Sequence, residues 1–131
     1  MKLGFVGLGQ MGRPIAHNLL KSGAELLVND RDDRWFEEFR SKGAKGTTNP
    51  AELVDVDAVF LCLPNTQVVH SFLLGQNGIA ERLRQGQTVV DLSTIGYQAT
   101  TEIGRTLEAR GVAFLDTPIS GMEARAIEGT L

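Results

Sequence analysis

Six residues, Gly7-Leu8-Gly9-Gln10-Met11-Gly12, constrain this chain more than any others, because of where they fall. They close the apolar run Lys2–Gly7 and open a stretch in which Ile15, Ala16, Leu19 and Leu20 recur at helical spacing until Ser22-Gly23 stops it. By spacing alone the glycine pattern is weak evidence. Placed between a strand and a helix, within a unit of about thirty residues, it becomes specific for dinucleotide binding. Gly7 permits the tight turn, Gly9 lets the backbone approach a diphosphate, and Gly12 lets helix and strand pack closely. The helix end contributes free N–H groups and a positive dipole.

The rest of the chain continues this alternation. Strands are expected at Lys2–Gly7, Glu25–Asn29, Ala58–Leu63, Thr88–Leu92 and Val112–Leu115, with a weaker one at Ala44–Thr48. Most are continuous apolar runs, as suits parallel strands covered on both faces. Helices are expected at Asp32–Lys42, Pro50–Val54, Thr66–Leu74, Gly78–Arg84 and Tyr97–Arg110. No linker or repeat interrupts the pattern, so residues 1–131 are expected to form one α/β domain, a doubly wound, mostly parallel sheet of the Rossmann type. Ligands of such sheets lie beyond the carboxyl ends of the strands.

Asp30 stands eighteen residues beyond Gly12, at the end of the second strand, where a carboxylate can accept hydrogen bonds from the adenosine ribose. Arg31, assisted by Arg34, could instead hold the 2′-phosphate of NADP. Set against two guanidiniums are Asp30, Asp32 and Asp33, and a carboxylate about 4 Å from a phosphate costs several kcal/mol at an effective dielectric near 20. The balance favours NAD, with NADP as the alternative.

Composition narrows the partners. A formal charge of −3 argues against an electrostatic grip on nucleic acid, and no run approaches the roughly 18 apolar residues of a membrane span. Structure is expected to begin almost at Met1, leaving no room for a signal peptide, and Cys62 is the single cysteine, so a reducing cytoplasm is expected. Oligomeric state is not legible.

The opening Gly7-Leu8-Gly9-Gln10-Met11-Gly12-Arg13-Pro14-Ile15-Ala16-His17-Asn18-Leu19 resembles that of the β-hydroxyacid dehydrogenases. These include 3-hydroxyisobutyrate dehydrogenases, tartronate semialdehyde reductases and, more distantly, 6-phosphogluconate dehydrogenase. Three later blocks agree in order: Leu63-Pro64-Asn65, Asp91-Leu92-Ser93-Thr94-Ile95 and Phe114-Leu115-Asp116-Thr117-Pro118-Ile119-Ser120-Gly121. The resemblance implies that Leu63, Pro64 and Asn65 line the cofactor cleft, that Thr94 lies near the nicotinamide, and that Ser120 and Gly121 bind a substrate carboxylate. Each also has a plain reading, since Pro64 can end a strand, Ser93 or Thr94 can cap a helix, and Ser120-Gly121 can be a turn. Met122 and Arg125 stand where many members have glycine, which opens the question of substrate class.

Family members continue into an all-helical domain with a lysine general acid/base. By order, none of Lys2, Lys21, Lys42 and Lys45 corresponds to it. The expectation is therefore the NAD(P)-binding domain of a 3-hydroxyacid dehydrogenase or reductase, catalytically incomplete as this chain, with a small hydroxy or keto acid bound only by the full-length enzyme. Two alternatives are a non-catalytic dinucleotide-sensing or protein-interaction module and the cofactor domain of an imine-reductase-like enzyme. Cys62 is expected to be a buried hydrophobe and Trp35 and Phe39 to pack on the sheet; Asp116 is expected to stabilise a turn, and no metal is expected.

Overall fold

The computed structural model describes residues 1–131. Six parallel strands, β1 (Lys2–Val6), β2 (Glu25–Asn29), β3 (Lys45–Thr47), β4 (Ala58–Leu61), β5 (Thr88–Asp91) and β6 (Ala113–Asp116), lie in the order β3-β2-β1-β4-β5-β6. This is the doubly wound order, and its direction reverses between β1 and β4, where a crevice opens at the strand ends. The helices are α1 (Gly12–Lys21), α2 (Phe36–Arg40), α3 (Thr66–Leu74), α4 (Tyr97–Ala109) and α5 (Glu123–Glu128), with 3₁₀ turns at Pro50–Asp55 and Ile79–Arg82. No helix is long and apolar enough to cross a membrane.

Strand alternation divides the apolar residues between two cores. Leu3 and Phe5 of β1, with Leu26 and Val28 of β2, meet Ala16 of α1 and Phe36 and Phe39 of α2 on one face. Val59 and Leu61 of β4, with Val89 of β5, meet Val69 and Leu73 of α3 and Ile103 and Leu107 of α4 on the other. Each such side chain, fully buried, contributes roughly 1.5–3 kcal/mol relative to exposure. Because both faces are covered at the centre of the sheet, β1, β2, β4 and β5 read as apolar runs, whereas the edge strand β6 stays largely exposed.

The elements differ from the sequence expectation chiefly at their ends. The strands expected through Gly7, Leu63 and Leu92 stop at Val6, Leu61 and Asp91, because the chain leaves the sheet there to form the crevice wall. The helix expected over Asp32–Lys42 contracts to α2, since Asp30 and Asp32 accept the backbone N–H groups of Asp32 and Arg34 and hold the preceding segment as turns. Residues Glu123–Glu128, for which the sequence reading expects no helix, form α5, capped by Gly129 at φ 74°, and the last residues, Glu128–Leu131, where the resemblance implies a strand, add none to the sheet. The amide of Asn18 in α1 donates to Ala126 O at 2.7 Å and that of Gln10 to Glu123 Oε2 at 2.9 Å, which seats α5 against α1.

Candidate functional site

The crevice between the ends of β1 and β4 is a cleft of about 570 Å³. Its floor is the glycine loop, where the three glycines carry three different constraints. Gly7 has φ 98°, and a Cβ there would fall 2.2 Å from Cys62 O; at Gly12 it would fall 1.8 Å from Gly7 O. Both contacts are with backbone, which cannot yield as a flexible side chain can. A Cβ at Gly9 would meet nothing within 4 Å, so that residue borders open space. Above it, α1 starts without a side-chain cap and without an acidic residue in its first turn. The amides of Gly9, Gln10, Met11 and Gly12 donate to no protein group. Unengaged donors at a helix N-terminus, beside open space, fit the diphosphate of a dinucleotide.

At the β2 end, Asp30 Oδ2 accepts the Leu8 N–H at 2.8 Å and Oδ1 accepts the Asp32 N–H at 3.2 Å. Asp30 thus lines the cleft and also secures the glycine loop. The balance of charge around it differs from a count of residues. Arg34 closes on Asp32 at 2.6 Å, and this hydrogen-bonded partner holds the exposed Asp32 carboxyl below its usual range. Arg31 makes no ion pair and borders both the cleft and an adjoining hollow of about 450 Å³ that includes Thr48, Gln67 and Ser71.

The opposite wall is formed where β4 and β5 end. Leu63, Pro64 and Thr94 line it, together with Cys62, Leu92 and Ser93. The Ser93 Oγ accepts the Leu63 N–H at 2.9 Å, so the two loops are joined side by side. Beneath them Asp91 is wholly buried, and its Oδ1 accepts the Ser93 N–H at 2.9 Å. Burial pushes the Asp91 carboxyl above the usual range, Asp116 adds to this, and Ser93 opposes it.

Gly7, Gly9, Gln10, Met11, Gly12, Asp30, Arg31, Leu63, Pro64, Thr94 and Gly121 therefore meet around one cleft. Three expected residues do not line it. Leu8 points its side chain into the core, with only its amide facing the loop. Asn65 caps α3, its Oδ1 accepting the Val68 N–H at 3.0 Å. Ser120 is exposed beside the cleft, whereas its neighbour Gly121 borders it at φ 127°. Met122 is 78% exposed, so its side chain does not fill the cleft, and Arg125 packs beside Gly121.

Cys62 corrects an expectation in part. It is half-buried and borders the cleft just past β4, but burial and the nearby Asp91 raise its thiol to about 11, which leaves it protonated near neutral pH. Sequence reading passed over Val68 and Phe72 of α3, which form the apolar side of the cleft; only the crossover of α3 brings them there. Trp35 lies under the Arg13 guanidinium at 3.9 Å, and Phe39 is stacked on His17, both on the sheet's α1 face.

Comparison with known proteins agrees with this geometry. 3-Sulfolactaldehyde reductase of Escherichia coli strain K12 is 38% identical over 130 residues, covering 98% of this chain and 44% of the reductase. The crystal structure of 3-hydroxyisobutyrate dehydrogenase from Salmonella typhimurium superposes with a TM-score of 0.91 at 30% identity, over 98% of this chain and 45% of that one. Psf3, solved with NADP+ and 2-OPP, superposes with a TM-score of 0.90 at 28% identity, over 97% of this chain and 45% of its own. The chain thus spans less than half the length of each. The family described as the NAD binding domain of 6-phosphogluconate dehydrogenase matches residues 2–131. With the doubly wound sheet, the uncapped helix end and the open glycine loop already in place, the chain belongs to that family of NAD-binding domains.

Proposed function

We propose that residues 1–131 form one dinucleotide-binding domain serving a 3-hydroxyacid dehydrogenase or reductase. The observation that carries the reading is the set of four unengaged amides over the open face of Gly9. These amides hold the diphosphate, Asp30 accepts hydrogen bonds from the adenosine ribose, and the Leu63-Pro64 and Ser93-Thr94 loops border the nicotinamide half. The chemistry that a bound nicotinamide would supply there is hydride exchange with a carbinol or carbonyl carbon. Gly121, with Ser120 next to it, is the position proposed for a substrate carboxylate.

None of the four lysines lines the cleft, and neither does a histidine. Hydride transfer to a carbonyl needs a proton donor within reach of the developing alkoxide. We therefore propose that chemistry on a small hydroxy or keto acid is completed by groups outside residues 1–131. The same observation favours a second reading, a dinucleotide-binding module that itself catalyses nothing.

For the cofactor, the Asp30 carboxylate supports NAD, while the unpaired Arg31 offers a 2′-phosphate a guanidinium, so NADP is accepted more weakly. Fluorescence titration with NADH and NADPH tests this. NADH is expected to bind more tightly, and Arg31→Ala to weaken NADPH more than NADH. Equal affinity for AMP and NADH would refute dinucleotide recognition. Turnover of a 3-hydroxy acid by residues 1–131 alone would refute the incomplete site.

A further inference from the structure

We propose that Asp91 is a positioning residue that ties together three of the loops bordering the cleft, those after β4, β5 and β6; its consequence for binding rests on the dinucleotide reading above. The ladder hydrogen bonds end with the Cys62 N–H on Val6 O at 2.9 Å and the Leu92 N–H on Leu61 O at 2.8 Å. The next amide on the β4 side, that of Leu63, has no backbone acceptor and uses Ser93 Oγ instead. Ser93 is in turn held by its own N–H on Asp91 Oδ1. On the other side, the Asp91 carbonyl accepts the Thr117 N–H at 2.9 Å and the Thr117 hydroxyl at 3.2 Å, which anchors the loop leading to Gly121. The Asp91 carboxylate therefore reaches the β4 exit through Ser93, while its main-chain carbonyl holds the segment after β6.

The fold keeps this arrangement at a cost. Asp91 has zero exposure, and its Oδ2 has no hydrogen-bond partner. A buried carboxylate oxygen left unpartnered is unfavourable, and a residue serving only to end a strand would not require one. The raised carboxyl pKa is the electrostatic side of the same burial. The reward is rigidity in a polar network whose members have few other partners.

Amide hydrogen exchange by NMR and NADH titration test the proposal on the same proteins. Asp91→Ala is expected to speed exchange at Leu63 and Ser93 while Val59, in the middle of β4, keeps its protection. NADH affinity is expected to fall about five- to ten-fold, the scale of one lost hydrogen bond. Asp91→Asn, which retains an oxygen acceptor, is expected to restore both. If Asp91→Ala does not fold, Ser93→Ala frees the same Leu63 amide, and parental NADH affinity in that variant overturns the claim. Loss of protection spread evenly over β4, or unchanged exchange at Leu63 in Asp91→Ala, also overturns it. A parent chain that binds NADH beside an Asp91→Ala variant that binds equally well refutes positioning alone. A parent that binds none refutes the dinucleotide reading with it.

Discussion

At residue scale, the three glycines of one loop are not equivalent, and substitution separates them. Gly12→Ala drives a methyl group into Gly7 O, so the loop or the start of α1 must move, and a destabilisation of about 2–4 kcal/mol is expected by denaturant unfolding. Gly9→Ala meets nothing in the protein, and its stability is expected within about 0.5 kcal/mol of the parent. The same methyl group occupies the space proposed for a diphosphate, so NADH affinity is expected to fall at least about ten-fold. Parental affinity in Gly9→Ala would place the ligand elsewhere. Asp91 makes a different prediction. Its folded-state pKa is raised, so the folded chain binds this proton more tightly than the unfolded chain. The stability linked to that proton is present below the unfolded value near 3.8 and is lost as pH rises through the folded value. Asp91→Asn removes the buried charge, and at pH 7 its stability relative to the parent is expected to be higher than at low pH. Thermal unfolding followed across pH checks this; a stability difference independent of pH would contradict the burial argument.

At the scale of the element, caps decide where helices begin beside the cleft. Asn65 begins α3 and α1 has no side-chain cap, a contrast that leaves the α1 end open to an anion while closing the α3 end with protein. Asn65→Ala is expected to cost about 1 kcal/mol in denaturant unfolding, and Asn65→Asp, which can accept the same Val68 N–H, to recover most of it. If Asn65→Asp recovers stability and NADH affinity together, capping accounts for the residue. Several elements were legible from pattern alone. Glu25–Asn29 and Thr66–Leu74 occur as expected, because an apolar run or a helical repeat is bounded there by a turn residue or a cap. Others shifted because side-chain acceptors in the Asp30–Arg34 segment compete with helical hydrogen bonds, an effect that periodicity does not register.

At the scale of the whole molecule, the cleft is assembled from the segments that follow five strands, β1, β2, β4, β5 and β6, and it rests on both cores. A ligand that binds only the folded chain adds roughly 2.7 kcal/mol at a hundred times its dissociation constant. For a domain of this size, that raises the thermal midpoint by roughly 10 °C. NADH is therefore expected to raise the midpoint in a concentration-dependent way, and Gly9→Ala to shift less at the same concentration. An unmoved parental midpoint at saturating NADH would argue against the cleft.

The amino-acid order by itself determined the sheet class, the glycine loop and the ligand edge, because apolar periodicity and glycine placement are local consequences of backbone geometry. It also placed Asp30, Arg31, Leu63, Pro64 and Thr94 just past strand ends, where parallel topology gathers them. Only the tertiary structure decided which of those side chains face inward. It turned Leu8 to the core, gave Asn65 to a helix cap, paired Arg34 with Asp32 so that Arg31 stands free, and buried Asp91 beneath Ser93. Those outcomes depend on hydrogen bonds and desolvation between residues far apart in the chain, and such terms exist only once distant strand ends share one edge of the sheet.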